Sequence, residues 1–195
     1  MSKKESFPMN TALFSYYIIP FITLRLARGT EYLYSNFSTI RSVFERHLEF
    51  LAWCAVTGLY FYLAIRRLYR YLPKKKKENR LPAVAAGLLF CSALLPYLPE
   101  TLPILSALHL VTAFTSSVFL FLCLFQLSFQ LYFTSPSLGR PALLLLIGAV
   151  SFCLAAWAYS GIINTAMEVC LVLTACLLIR RLSLIFERNY TLPPK

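Results

Sequence analysis

Two ionisable residues stand where the surrounding sequence is almost wholly apolar, and they are the first candidates for chemistry. His109 lies inside the stretch 101–139, which contains no Asp, Glu, Lys or Arg. Glu168 interrupts an otherwise uncharged stretch, 141–179. If both stretches are helices, each residue sits about six residues, or roughly 9 Å, below one end of its helix. An ionisable group at membrane depth is a functional-site hypothesis. A carboxylate next to an imidazole stabilises the imidazolium and selects its tautomer. Such a pair could hold a proton, a metal or a cationic head group, or lock two helices in register. Ser106, Thr112 and Ser116 share the polar, small-residue side of the helix that carries His109, with Ala113 and Ser117. Asn164, one turn before Glu168, completes the candidate intramembrane polar set of His109, Glu168, Ser106, Thr112, Ser116 and Asn164.

Other chemistries lack their residues. The chain has eight Glu and no Asp, which excludes Asp-dependent proteolysis and phosphotransfer. It has no H-E-x-x-H, G-x-S-x-G or Walker loop. One His and one Glu are too few ligands for a metal centre, so neither metal nor cofactor is expected. The six Cys (Cys54, Cys91, Cys123, Cys153, Cys170, Cys176) all fall in apolar stretches without a C-x-x-C spacing. They read as small packing residues.

The elements that must position these residues follow from composition. The chain has 195 residues, of which 58% are hydrophobic and 14% charged, with a net charge of +11. A typical soluble domain has roughly 25% charged residues. This is the composition of an integral membrane protein, and it excludes a disordered chain, a collagen or a disulfide-stapled secreted domain. A bilayer core of about 30 Å needs roughly 17–25 helical residues. The expected fold is therefore an all-α bundle of six spans, at about 8–24, 48–70, 81–98, 103–133, 141–159 and 162–181. The first span has an alternative, since Lys3 and Lys4 before an apolar run also describe a cleaved signal or an interfacial segment. The last two spans form a hairpin turning near Tyr159-Ser160-Gly161, in preference to one long helix with an interfacial piece.

Charge sets the expected orientation. The stretch between spans two and three holds Arg66, Arg67, Arg70, Lys74, Lys75, Lys76, Lys77 and Arg80, and the positive-inside rule places it in the cytoplasm. Both termini then lie inside as well. Fifteen basic residues fall inside and four outside (Arg25, Arg28, Arg41, Arg46). The basic loop 71–80 serves first as a topogenic signal. Lys74, Lys75, Lys76 and Lys77 are also candidate contacts for anionic lipid head groups. A short, membrane-tied patch with no binding module gives no support for nucleic acid as a partner. The expected partners are membrane lipids and other membrane proteins, and the expected location is the plasma (cytoplasmic) membrane.

The outer loop 25–47 is the largest segment outside the spans. Its mixture of Tyr32, Tyr34, Phe37 and Phe44 with charges suits a cap on the outer face of the bundle. Asn36-Phe37-Ser38 is a glycosylation sequon on that side. Pro96, Pro99 and Pro103 stiffen the outer corner between spans three and four. Small residues suggest close helix packing through Gly148, Ser151, Ala155 and Ala158 in span five, and through Ala83 and Gly87 in span three. Gln126 and Gln130 are suited to bonds between helices or to facing the lipid head groups.

The six-span plan with a His near the outer start of span four, in Leu108-His109-Leu110-Val111-Thr112-Ala113-Phe114, resembles the DRAM/Sfk-type membrane family, as does the proline corner before it. The resemblance implies a non-enzymatic protein acting on lipid organisation or partner proteins, with His109 as the one residue carried across. The residues themselves point the same way, to a regulator, sensor or accessory subunit. The alternatives are a small transporter or channel using Glu168 and His109, and a membrane enzyme acting on a lipid-linked substrate.

Overall fold

The computed structural model describes residues 10–42, 46–72 and 80–189. Lys74, Lys75, Lys76 and Lys77 lie outside the described residues. All regular structure among the described residues is helical. We number the helices α1 (Thr11–Ala27), α2 (Phe37–Ser42), α3 (His47–Tyr69), α4 (Leu81–Leu94), α5 (Pro103–Thr134), α6 (Pro136–Ser160) and α7 (Thr165–Asn189). Four of them, α3, α5, α6 and α7, are long and apolar enough to cross a membrane, while α1 and α4 are shorter apolar helices. The chain is thus a helical integral membrane protein.

Each apolar helix packs on the next, α3 on α4, α4 on α5, α5 on α6 and α6 on α7. The ring closes where α1 packs between α3 and α7. Helix α7 also touches α3 and α5, which makes it the centre of the bundle. Its Ala175, Leu178, Ile179 and Leu182 have no exposure. By contrast α5 and α6 turn large apolar side chains outward, among them Phe114, Phe133, Leu144 and Trp157. In lipid such side chains are in a matching solvent, so association rests on packing and interhelical hydrogen bonds instead.

The helix ends have local causes. Leu81-Pro82, Leu102-Pro103 and Ser135-Pro136 put Pro in the first turn of α4, α5 and α6, where no N–H is needed. Gly161, at φ 73°, ends α6 in the left-handed conformation that costs Gly little. Asn164 then opens α7, its Oδ1 accepting from Met167 N at 3.0 Å. The hairpin at Tyr159-Ser160-Gly161 therefore has a glycine cap on one side and an asparagine cap on the other. Pro141 falls in the second turn of α6 and does not break it.

Two expectations are corrected. The helix starting at Leu81 stops at Leu94, not near 98, because Leu95 precedes Pro96 and takes the extended conformation, ψ 131°. The small residues Gly148, Ser151, Ala155 and Ala158 of α6 all face outward, as do Ala83 and Gly87 of α4. The face of α6 that packs is the neighbouring one, Ala142, Leu146, Ala149, Cys153 and Ala156. Ala142, Ala149, Cys153 and Ala156 are small as well, so small size alone does not single out the packed face.

Candidate functional site

The segment between α1 and α3 folds into the bundle. From Gly29, at φ 86°, the chain turns back and α2 is inserted among the ends of the long helices at which α7 begins. Phe37 and Ile40 are buried at 1% and 0% exposure, alongside Asn36 and Ser38. The Phe37 ring meets Trp53 of α3 edge-on at 4.9 Å. Trp53 in turn donates from Nε1 to Thr23 Oγ1 of α1 at 2.9 Å. The segment is thus a plug with an apolar underside.

Glu168 and His109 hold consecutive residues of this plug. Phe37 N donates to Glu168 Oε2 at 2.7 Å. Ser38 Oγ lies 2.7 Å from His109 Nε2. The two residues are linked through α2 and not by an ion pair to one another. The carboxylate accepts the first orphan N–H of a helix, the position where negative charge is favoured. The exchange is reciprocal, because α7 is capped by the plug. Thr165 N donates to Ser35 O at 2.7 Å and Ala166 N to Tyr32 O at 3.0 Å.

His109 has a second task. Its Nδ1 lies 2.7 Å from Ser92 O and 3.1 Å from Leu95 O, at the open end of α4. Carbonyl oxygens only accept, so the hydrogen-bond network assigns the proton to Nδ1. In the neutral ring, Nε2 is then the acceptor for Ser38 O–H. Imidazole thereby adds a side-chain donor to the carbonyls at the early end of α4, where Ser92 O also accepts from Leu95 N at 3.2 Å. Tyr97 packs on the ring at 5.6 Å between centroids.

The remaining residues of the polar set go to separate places. Ser106 Oγ accepts from Leu98 N at 2.8 Å, pinning the proline corner. Ser116 Oγ donates to Ala85 O at 2.7 Å and joins α5 to α4. Thr112 Oγ1 bonds back to Leu108 O and His109 O within its own helix. Asn164, with no exposure, donates from Nδ2 to Ser160 Oγ at 2.9 Å across the α6–α7 turn. His109 and Glu168 converge on the plug, and the other four residues of the set bond elsewhere. No group of three or more His, Cys, Asp or Glu side chains suited to a metal occurs among the described residues.

Three features were missed in the sequence. Arg46 donates from Nη1 to Leu26 O and Arg28 O, each at 3.2 Å, and from Nη2 to Arg25 O at 3.1 Å and Glu49 Oε2 at 2.6 Å. It caps the end of α1, where a cation complements the helix dipole. Its place directly before α3 carried no such signal. Asn36 is buried, at 7% exposure, and its Oδ1 accepts from Thr39 N at 3.0 Å. The sequon therefore does work as a helix cap for α2. Tyr34 is exposed, and its phenol pKa is raised above the ordinary value, first by the neighbouring Tyr159 hydroxyl at the end of α6. Gln126 accepts from Tyr69 O–H at 2.8 Å, the bond between helices its position suggested.

No protein-family model, curated protein or solved structure matches this chain.

Proposed function

We propose that this chain is a six-span, non-enzymatic protein with both termini in the cytoplasm, working as a regulator, sensor or accessory subunit through lipid or protein partners. The observation that carries the reading is the use made of its two ionisable groups at membrane depth. Glu168 and His109 are engaged by adjacent residues of one plug helix, at 2.7 Å each, and so hold structure. The excess of basic residues between α3 and α4 supports the orientation. The four long apolar helices and two shorter ones support the span count. The resemblance to the DRAM/Sfk-type family agrees with this reading and adds lipid organisation to its scope.

The test has two arms. In a background with the native Cys replaced, single Cys at positions 75 and 136 should react with impermeant reagents from the cytoplasmic side, and at 34 and 101 from the outer side. Any exchange of sides overturns the topology. In a deletion strain, His109→Gln and Glu168→Gln should restore function in proportion to the folded protein in the membrane. A variant present at the wild-type level and inactive would overturn the non-enzymatic reading and assign that side chain a chemical role.

A further inference from the structure

Small residues on α3 and α4 leave a groove between these helices and α5. Gly58 lets α3 and α4 approach closely, since a Cβ there would lie 3.1 Å from Leu89 Cδ2. The groove is lined by Gly58 and Tyr62 of α3, by Pro82, Ala86 and Leu89 of α4, and by Ser116 of α5. Gly58, Pro82 and Ser116 are buried, while Tyr62, Ala86 and Leu89 are half-buried, so the groove opens along one side. Its polar side chains are occupied. Ser116 Oγ donates to Ala85 O at 2.7 Å, and the Tyr62 hydroxyl accepts from Arg66. Water needs several polar partners and does not suit such a place. Hydrocarbon does, because an unfilled groove forfeits the dispersion contacts on which helix packing in lipid rests.

The groove also has a charged end. Gly58 meets Leu89, and about two turns further along each helix, roughly 10 Å, Ile65 and Pro82 line the groove as well. Arg66 is the next residue of α3, and Arg80 is the N-cap of α4. Both arginines therefore belong to the same end. Arg66 is fixed at the groove's edge, where Nη1 donates to the Tyr62 hydroxyl at 2.7 Å and Cζ stands 5.7 Å from the centre of the Tyr62 ring. Arg66 and Arg80 are exposed, and neither pairs with a carboxylate among the described residues. Glu187, nearby, is taken by Arg67 at 3.0 Å. An apolar groove ending at two guanidinium groups matches a chain of hydrocarbon ending at a phosphate, which guanidinium binds well.

We propose that this groove holds one acyl chain of an anionic phospholipid whose phosphate is met by Arg66 and Arg80. The proposal rests on the reading of the chain as a protein that works through lipid partners, and it names the class of lipid.

The test uses the full chain in nanodiscs of phosphatidylcholine that contain a small share of phosphatidylglycerol with a diazirine midway along one acyl chain. After illumination, mass spectrometry maps the adducts. Adducts at Tyr62, Ala86 and Leu89 should exceed those on the outward residues Leu144 and Trp157, and unlabelled phosphatidylglycerol should compete them away. A phosphatidylcholine probe with the same acyl chain should mark the groove less. Ala86→Phe fills the groove and should remove the adducts at Tyr62 and Leu89 while leaving those at Leu144 and Trp157. R66Q and R80Q should each lower the preference for the phosphatidylglycerol probe about fivefold. Groove adducts that resist competition, or that only match those at Leu144 and Trp157, overturn the proposal. That result needs the wild-type chain alone, so it holds even if a variant fails to fold. Groove adducts that survive in folded A86F overturn it too. A preference kept in both R66Q and R80Q, or lost only when Lys74, Lys75, Lys76 and Lys77 are replaced by Gln, overturns the head-group assignment. Both faces of the nanodisc carry the probe, so a reversed topology would appear in the cysteine labelling, and a chemical role in the complementation, but neither in the adduct map.

Discussion

Glu168 was conspicuous in the sequence as a carboxylate in an apolar run, but its partner was not. The hydrogen bond runs to a backbone N–H, Phe37 N, 131 residues away in the chain. Backbone groups carry no residue-type signal, so nothing in the sequence could nominate this contact. The role is testable by comparing two substitutions. Glu168→Ala leaves the Phe37 N–H without its acceptor and should destabilise the folded protein by about 1–3 kcal/mol. Glu168→Gln keeps an amide oxygen in place and should lose clearly less. Reversible unfolding in mixed micelles reads both values, and equal losses would mean that charge, not the acceptor, holds the plug. The same logic explains why His109 was visible and Ser38 was not. Ring nitrogens in an apolar helix attract notice, whereas a serine in a polar loop does not.

At the scale of elements, the outcome depends on how helices end. Arg46 gathers three carbonyls from the last turn of α1. Arg46→Ala should therefore cost about 1–2 kcal/mol in the same unfolding measurement. Arg46→Lys should recover little, because an ammonium lacks the planar fork that reaches several acceptors. The two short turns make a second contrast. Gly161 has a positive φ and open space around it, so Gly161→Ala should cost only about 1 kcal/mol of backbone strain. Gly139 has an ordinary φ, yet a Cβ there would overlap the Tyr132 backbone across the α5–α6 corner. Gly139→Ala should be the more damaging of the two, by about 1–3 kcal/mol or more as the corner is forced apart. Folded yield and Tm of both variants decide the order. A larger loss at Gly161 would contradict the close approach at this corner. Helix existence was legible from the length of the apolar runs and the Pro and Gly between them. The early end of α4 had its cause in the sequence too, in Leu95 before Pro96, but the donor that His109 brings to that end from another helix did not show there.

For the whole molecule, the plug determines which part of its own end of the bundle a reagent or enzyme can reach. Tyr34 is 62% exposed and Asn36 is 7% exposed, although they are two residues apart. Expressed in a membrane with a glycosylation machinery, the chain should remain unmodified at Asn36, as judged by mass after glycosidase treatment. Cys at position 34 should label quickly and Cys at position 36 slowly. Modification of Asn36 in the folded protein would mean that α2 leaves the bundle. The outward small-residue face of α6 belongs to this scale as well. The sequence suggests the face of Gly148, Ser151, Ala155 and Ala158 for close packing, and the structure packs the neighbouring face of Ala142, Leu146, Ala149, Cys153 and Ala156.

By itself, the amino-acid sequence determined the class of this protein, the approximate helices and the two ionisable residues inside them. Those properties depend on the local density of apolar side chains, on charge and on Pro and Gly, all of which act over a turn or two of chain. The tertiary structure alone decided what Glu168 and His109 do. It folded the segment after α1 into a plug and brought backbone groups of that plug, and of α4, within hydrogen-bond distance of both. Those contacts join residues from 14 to 131 positions apart. They exist because polar backbone at membrane depth must find a partner within the protein, and only the packed arrangement of the helices determines which partner is near.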